Sequence, residues 1–337
     1  MDKKVSIIIP VFNKENYISM LLDSVCSQSY ENIEIICVND GSTDESDRIV
    51  KKFAGKDSRI KCFDIKQNKG AWYARNLGLK HAQGDYVRFV DADDIIPKES
   101  TEVLLKYMDD DINMVRGRLF CESKWVCITE KNFIHGHIFN PKRENDFCRA
   151  LLPLTLHCSA LFNKEYLIKN NIFYDESCDE DSLFLIKNYF NLDSAVMVDE
   201  VVYTYISRKN SAMTKRKSYK WYEDYLIKTH RYMYECSKKN NNLQIADMFL
   251  LRRYLNQYPE MVLNSIAADI HVKDLEYIVN EHSSILNDFG FYTRLNNFTI
   301  LKEIWDILPE KMKEFLMIIH RYPSEGGNFL IKYASLH

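Results

Sequence analysis

Val87-Arg88-Phe89-Val90-Asp91-Ala92-Asp93-Asp94 runs an apolar strand straight into three carboxylates within four residues. Carboxylates at the exposed end of a strand repel one another unless a cation neutralises them. One oxygen-seeking divalent metal together with a diphosphate would do so. Solvated loops often contain an Asp-x-Asp, so the weight of this one comes from three upstream segments that suit a nucleotide pocket.

Working outward, Val5 to Val11 is a continuous apolar run, fit for a strand buried on both faces. Ile18, Leu21, Leu22 and Val25 recur at helical spacing. Ile33 to Val38 is the next strand, and Ser42-Thr43-Asp44-Glu45 reads as a capping box opening a helix through about Phe53. Ile60 to Ile65, a helix over Ala71 to Ala82, and a strand over Tyr86 to Val90 complete the rhythm. Repeated βα units predict an α/β, Rossmann-type, mostly parallel sheet sandwiched by helices. After about residue 110 the rhythm changes, with a helix expected over Asp181 to Phe190 and a strand over Val196 to Ile206.

The absent motifs narrow the chemistry. The first strand ends in Pro10-Val11-Phe12-Asn13 and not in a Gly-x-Gly-x-x-Gly turn, which argues against a dinucleotide-binding dehydrogenase. There is no P-loop lysine motif and no Gly-x-Ser-x-Gly elbow. A nucleotide here must be held by side chains and loop backbone. Asp40, in Val38-Asn39-Asp40-Gly41-Ser42, closes the second strand where α/β sheets bind ligands, and an Asp there can accept the ring N–H of a pyrimidine. The plainer reading is a turn with Ser42 as helix cap, and both can hold at once. Arg75, in Asn68-Lys69-Gly70-Ala71-Trp72-Tyr73-Ala74-Arg75-Asn76, can reach a diphosphate with its planar fork, although an exposed helix charge is the commoner fate of an arginine.

Taken in order, Val-Ser-Ile-Ile-Ile-Pro-Val-Phe-Asn, Val-Asn-Asp-Gly-Ser-Thr-Asp, Asn-Lys-Gly with Ala-Arg-Asn, and Phe-Val-Asp-Ala-Asp-Asp resemble the inverting glycosyltransferase family 2, of GT-A fold. The resemblance is strong over residues 5 to about 97, weaker to about 214, and does not reach the C-terminal third. It implies that Pro10 and Phe12 line the base and ribose pocket with Asp40, and that Asn68 and Arg75 contact the donor. It also implies that Asp91 and Ala92 meet the nucleotide, with Asp93 and Asp91 as ligands of Mn2+ or Mg2+. The implied donor is a nucleotide-diphosphate sugar, a UDP-sugar by family habit. Asp179-Glu180-Asp181 precedes a helix and resembles the family's catalytic base motif, so the resemblance makes Asp181 the base, with Glu180 as second choice. Without the upstream motifs these acids would read as charge complementing a helix N-terminus. Tyr203-Thr204-Tyr205 with Arg208 and Ser211 is similar to the segment that closes over the diphosphate. Asp94 reads as a cap beside Pro97, and His157 as a hydrogen-bonded core residue.

The chain has 337 residues and a net charge of -3, which argues against a dedicated nucleic-acid binder. No apolar signal core follows Met-Asp-Lys-Lys and no run is of membrane-spanning length, so a cytoplasmic protein is expected. Nine cysteines without a Cys-x-x-Cys read as small buried hydrophobes in a reducing compartment. Three regions follow: residues 1–110 as the nucleotide-sugar half of the domain, 111–214 as the acceptor side, and 215–337 as a C-terminal α-helical region. From Arg208 to Arg231 eight basic residues face only Glu223 and Asp224. That excess suggests an anionic neighbour: lipid headgroups on the cytosolic face of the inner membrane, a lipid-linked glycan acceptor, or an acidic glycan. A helical stripe of Met312, Phe315, Leu316 and Ile319 could lie on a membrane surface, and more plainly suits packing on the protein itself or on a second subunit in a homo-oligomer. The expected activity is transfer to a growing bacterial surface glycan. The rival readings are a non-catalytic nucleotide-binding scaffold and, against the missing glycine- and arginine-rich loop, a sugar nucleotidyltransferase.

Overall fold

A computed structural model describes residues 3–121, 135–136, 138–139, 157–177, 180–208 and 227–239, with 281, 284 and 288. The chain divides into two compact units, residues 1–211 and 212–337. In the second unit the described helix is His230–Lys239, with Met233 and Tyr234 buried. Ser211, most of the basic segment and the 312–319 stripe lie outside the described residues. Among the described residues, no helix is long and apolar enough to cross a membrane.

The first unit is built on β1 (Val5–Val11), β2 (Ile33–Asp40), β3 (Ile60–Ile65) and β4 (Tyr86–Phe89), in the order β3-β2-β1-β4 and all parallel. Between them lie α1 (Ile18–Cys26), α2 (Ser46–Ala54) and α3 (Ala71–His81). Successive side chains of a strand point to opposite faces. Accordingly Ile7 and Ile9 join a core with α1 residues Leu21, Leu22 and Val25, while Ile8 joins another with Ala74 and Leu79 of α3. Gly78 lets α3 lie close on β1, because a Cβ there would sit 2.4 Å from Ile8 Cγ2.

Beyond β4 the sheet becomes mixed. The chain passes through α4 (Ser100–Leu105) to β5 (Met114–Cys121), then reaches β6 (Ile138–Phe139), β7 (Ala160–Asn163), α5 (Lys164–Lys169), α6 (Glu180–Asn191) and β8 (Ala195–Tyr205). β7 is inserted antiparallel between β4 and β5, β8 runs parallel to β5, and β6 closes the edge. This insertion is why the βα rhythm is lost after residue 110.

Two details differ from the sequence expectation. α2 begins at Ser46, and Glu45 at its N-cap makes no side-chain cap. Ser42 Oγ instead accepts the Asn13 N–H (3.1 Å), and Asp44 accepts those of Glu15 and Ser46 (both 3.0 Å). The supposed capping box therefore fastens the β1–α1 loop to the β2–α2 loop. Asp94 is not a cap either: its carboxylate receives the Tyr203 hydroxyl (2.6 Å) and the Ile206 N–H (3.0 Å), pinning the end of β8 beside the acidic loop. Behind that loop, fully buried Arg88 donates to the hydroxyls of Ser100 and Thr101 and to the Val202 carbonyl (2.9, 3.0 and 3.2 Å). With no carboxylate beside it among the described residues, burial lowers its pKa to about 10.

Candidate active site

The carboxyl ends of the parallel strands carry most of the residues picked out by sequence. Pro10, half-buried, lies in register with Val38, and Phe12 just beyond it is 40% exposed. Asp40 is buried, and its two oxygens accept the N–H groups of Lys69 (2.9 Å) and Gly70 (2.8 Å). Burial raises its pKa against the pull of those two bonds. Asp40 thereby holds the 68–70 loop against the end of β2, with Asn68 exposed on it. Gly41 makes this closeness feasible: its φ is +70°, and a Cβ would meet the Asn68 nitrogen at 2.8 Å.

Arg75 is the hub. Its side chain is 5% exposed, so the commoner reading of a surface helix charge is wrong. Nη2 donates to Asp91 Oδ1 (2.8 Å) and Nη1 to Glu180 Oε1 (3.3 Å), with Asp181 Oδ1 3.2 Å from Nη1. The guanidinium also lies over the Tyr174 ring, 5.1 Å from its centroid. Burial works against the Arg75 charge, and Asp181 and Asp91 more than offset it, holding its pKa well above the ordinary value. Burial likewise opposes ionisation of Asp91, but Arg75 and His157 overcome it, so its carboxyl titrates below the usual 3.8. One buried cation thus joins the strand-end acid of β4 to the two acids in the first turn of α6.

The other two acids of the triplet have different partners. Asp93 is paired with both Lys14 and Arg208, and Arg208 stacks over the Tyr17 ring at 4.2 Å. Asp94 is pushed up to about 7 by burial and by the Asp91 charge. Tyr203 links the acids, its hydroxyl accepting the Asp91 N–H (3.3 Å) while donating to Asp94. Ala92 between them is buried.

Among the described residues, no three His, Cys, Asp or Glu side chains group as a metal cage. Mg2+ and Mn2+ bound with a nucleotide diphosphate commonly need only one or two carboxylates, the rest of the shell being phosphate and water. An all-oxygen donor such as Asp93, already attracting two cations, has the chemistry for such an ion.

Several contributors escaped sequence reasoning. Asn76 clamps Tyr174 through both its backbone groups (2.8 and 3.0 Å), and Tyr174 stacks on Phe184 at 4.2 Å. His157 is buried as expected, but neither ring nitrogen has an aligned hydrogen bond among the described residues. Lys14 carried no motif at all. The sequence clue for Asn76 was its adjacency to Arg75, since consecutive helix residues serve different neighbours.

The family model described as Glycosyl transferase family 2 matches residues 6–170, and that part of the chain belongs to the family. An uncharacterized glycosyltransferase of Rickettsia bellii is 37% identical over 182 residues, covering 52% of this chain and 26% of that protein. The minor teichoic acid biosynthesis protein GgaB of Bacillus subtilis is 31% identical over 294 residues, 83% of this chain and 31% of GgaB. The chain therefore spans only about a quarter to a third of these two relatives. A crystal structure of S. aureus TarS with UDP-GlcNAc superposes with a TM-score of 0.71 at 21% identity, covering 96% of this chain and 92% of that one. The fold is accordingly the α/β, GT-A-like one expected from the motifs.

Proposed function

We propose that this protein is an inverting glycosyltransferase that moves a sugar from a UDP-sugar to a hydroxyl of a bacterial surface glycan. The reading rests on one convergence. Arg75 brings a strand-end acid and two helix-start acids, 89 and 90 residues apart in sequence, onto a single guanidinium. A donor site and a proton-accepting site within one side chain's reach are what single displacement requires.

In this scheme Asp181 takes the proton of the acceptor hydroxyl as its oxygen attacks the anomeric carbon. The bond to the diphosphate breaks on the opposite side, and the configuration inverts. Arg75 holds Asp91 and the α6 acids in fixed relation, and Glu180 shares its charge. Asp40 still has free lone pairs on its oxygens for a uracil N–H, while its loop bonds hold the 68–70 loop, with Asn68, at the end of β2. A Mg2+ or Mn2+ ion held by Asp93, with Asp91 nearby, would offset charge on the departing diphosphate. Arg208 adds a second positive group there, and Ser211, outside the described residues, is assigned beside it by motif alone. The TarS complex with UDP-GlcNAc supports a UDP-sugar donor, and the name of GgaB supports a surface-glycan acceptor.

The test is calorimetric titration of UDP, dTDP, GDP and CMP, each with and without Mn2+. Metal-dependent binding of UDP alone is the expected result. Failure of every nucleotide to bind would overturn the proposal.

A further inference from the structure

His157 heads a short 3-10 turn, His157–Ser159, that leads into β7, and its ring is 2% exposed. Phe89, Tyr174 and Phe184 enclose it edge-on, with centroids at 6.0, 5.5 and 6.2 Å. Nothing in the three aromatic walls calls for an imidazole. The histidine instead turns Nδ1 to within 3.2 Å of Asp181 Oδ1. That oxygen is fully buried, although the Asp181 side chain as a whole is 35% exposed. It also lies 3.2 Å from Arg75 Nη1, which Glu180 shares.

We propose that His157 is a positioning residue that, with Arg75, holds the inner oxygen of Asp181 so that its outer oxygen faces the acceptor hydroxyl. Both nitrogens lie 3.2 Å from that oxygen without an aligned hydrogen bond, and a small turn of the carboxylate would let two donors on its inner oxygen fix its plane, which a single shared guanidinium nitrogen does not. Burial lowers the imidazole pKa against the pull of Asp181, which favours a neutral ring with one N–H to give. Asp181 then receives the proton of the attacking O–H as the new bond to the anomeric carbon forms. The electron pair of the old bond leaves with UDP. This role rests on the transferase reading above.

The experiment compares His157→Phe with His157→Asn. Phenylalanine fills the box and has no donor; asparagine fills it poorly and places an amide N–H near the Nδ1 position. Hydrolysis of UDP-GlcNAc, UDP-glucose and UDP-galactose is followed by UDP release, with UDP affinity by calorimetry and thermal melting to establish folding. Positioning predicts that His157→Phe keeps UDP affinity and donor KM within about twofold while kcat falls by about 10- to 100-fold. His157→Asn should recover most of that kcat despite a lower melting temperature. A fully active His157→Phe, or a His157→Asn no better than the phenylalanine variant, would overturn the assignment. A wild-type protein that neither binds UDP nor hydrolyses any of the three donors would overturn the transferase reading beneath it.

Discussion

Replacing Arg75 by methionine keeps most of the side-chain volume and removes the charge that three carboxylates share. In the folded protein Asp91, Glu180 and Asp181 lie 2.8, 3.3 and 3.2 Å from the guanidinium. Breaking a buried ion pair by deleting one partner costs about 3–5 kcal/mol, because the partner's charge is left uncompensated. At about 2–4 °C per kcal/mol for a domain of this size, the melting temperature at pH 7.5 should fall by about 10 °C. The pH dependence should also change sign. In the wild type, the depressed Asp91 pKa contributes stability that is present above 3.8 and lost as pH falls through the lower folded value. Without Arg75 the crowded acids hold protons more tightly folded than unfolded. The deficit should therefore shrink as pH falls from 7.5 to 5. Thermal melts at both pH values, with Arg75→Lys as an intermediate, check this. A variant melting within 2 °C of wild type at pH 7.5, or a deficit unchanged at pH 5, would refute the hub argument, since both figures rest on the same about 3–5 kcal/mol.

Asp181→Asn should retain UDP affinity and lose turnover by at least about 100-fold, measured by donor hydrolysis; the same loss in Glu180→Gln alone would move the base by one residue. Lys14→Met removes a competitor for Asp93, so Mn2+ affinity in the presence of UDP should rise about fivefold by calorimetry, the equivalent of about 1 kcal/mol. Tyr203→Phe takes the hydroxyl from between Asp91 and Asp94 and should cost about 1–3 kcal/mol in urea unfolding. Because the Asp94 pKa is raised to about 7, its stabilising contribution is complete below 3.8 and is lost as pH rises through 7. Loss of the Tyr203 donor, which favours the ionised form, should steepen that fall.

β1 was legible because it is buried on both faces and reads as a nearly unbroken apolar run, whereas β3, at the sheet edge and only partly buried, was read through Lys61 and Asp64 from its apolar positions. Ile60–Ile65 was placed to the residue and β4 to within one. The pairing of β7 between β4 and β5 was not legible, since strand order is decided by contacts among distant segments. The buried stripe of α3 is Ala74, Arg75, Gly78 and Leu79, a face too polar for apolar periodicity to find. Its burial follows from the carboxylates waiting for Arg75, two of which sit more than a hundred residues later. Ser42 misled because its hydroxyl serves a neighbouring loop and not the helix that follows it. Lys14 became visible only when the fold brought it to the acidic loop, and the bond of Tyr203 to Asp94 could not be read from the Tyr-x-Tyr segment that contains it.

The bond from Tyr203 to Asp94 spans 109 residues, and that from Arg75 to Glu180 spans 105. A chain emerging from the ribosome at about 5–20 residues per second makes its acidic loop on the order of 5–20 seconds before the partners of that loop exist. During that interval the first four strands can pair, but the edge that β7 will cover stays open and Asp94 has no donor. Non-local pairings of this kind are slow to form and expose sheet edges to other chains. The acidic loop is therefore the last part of the unit to settle, and a polypeptide ending before Tyr203 should be more prone to aggregate than one reaching the end of β8.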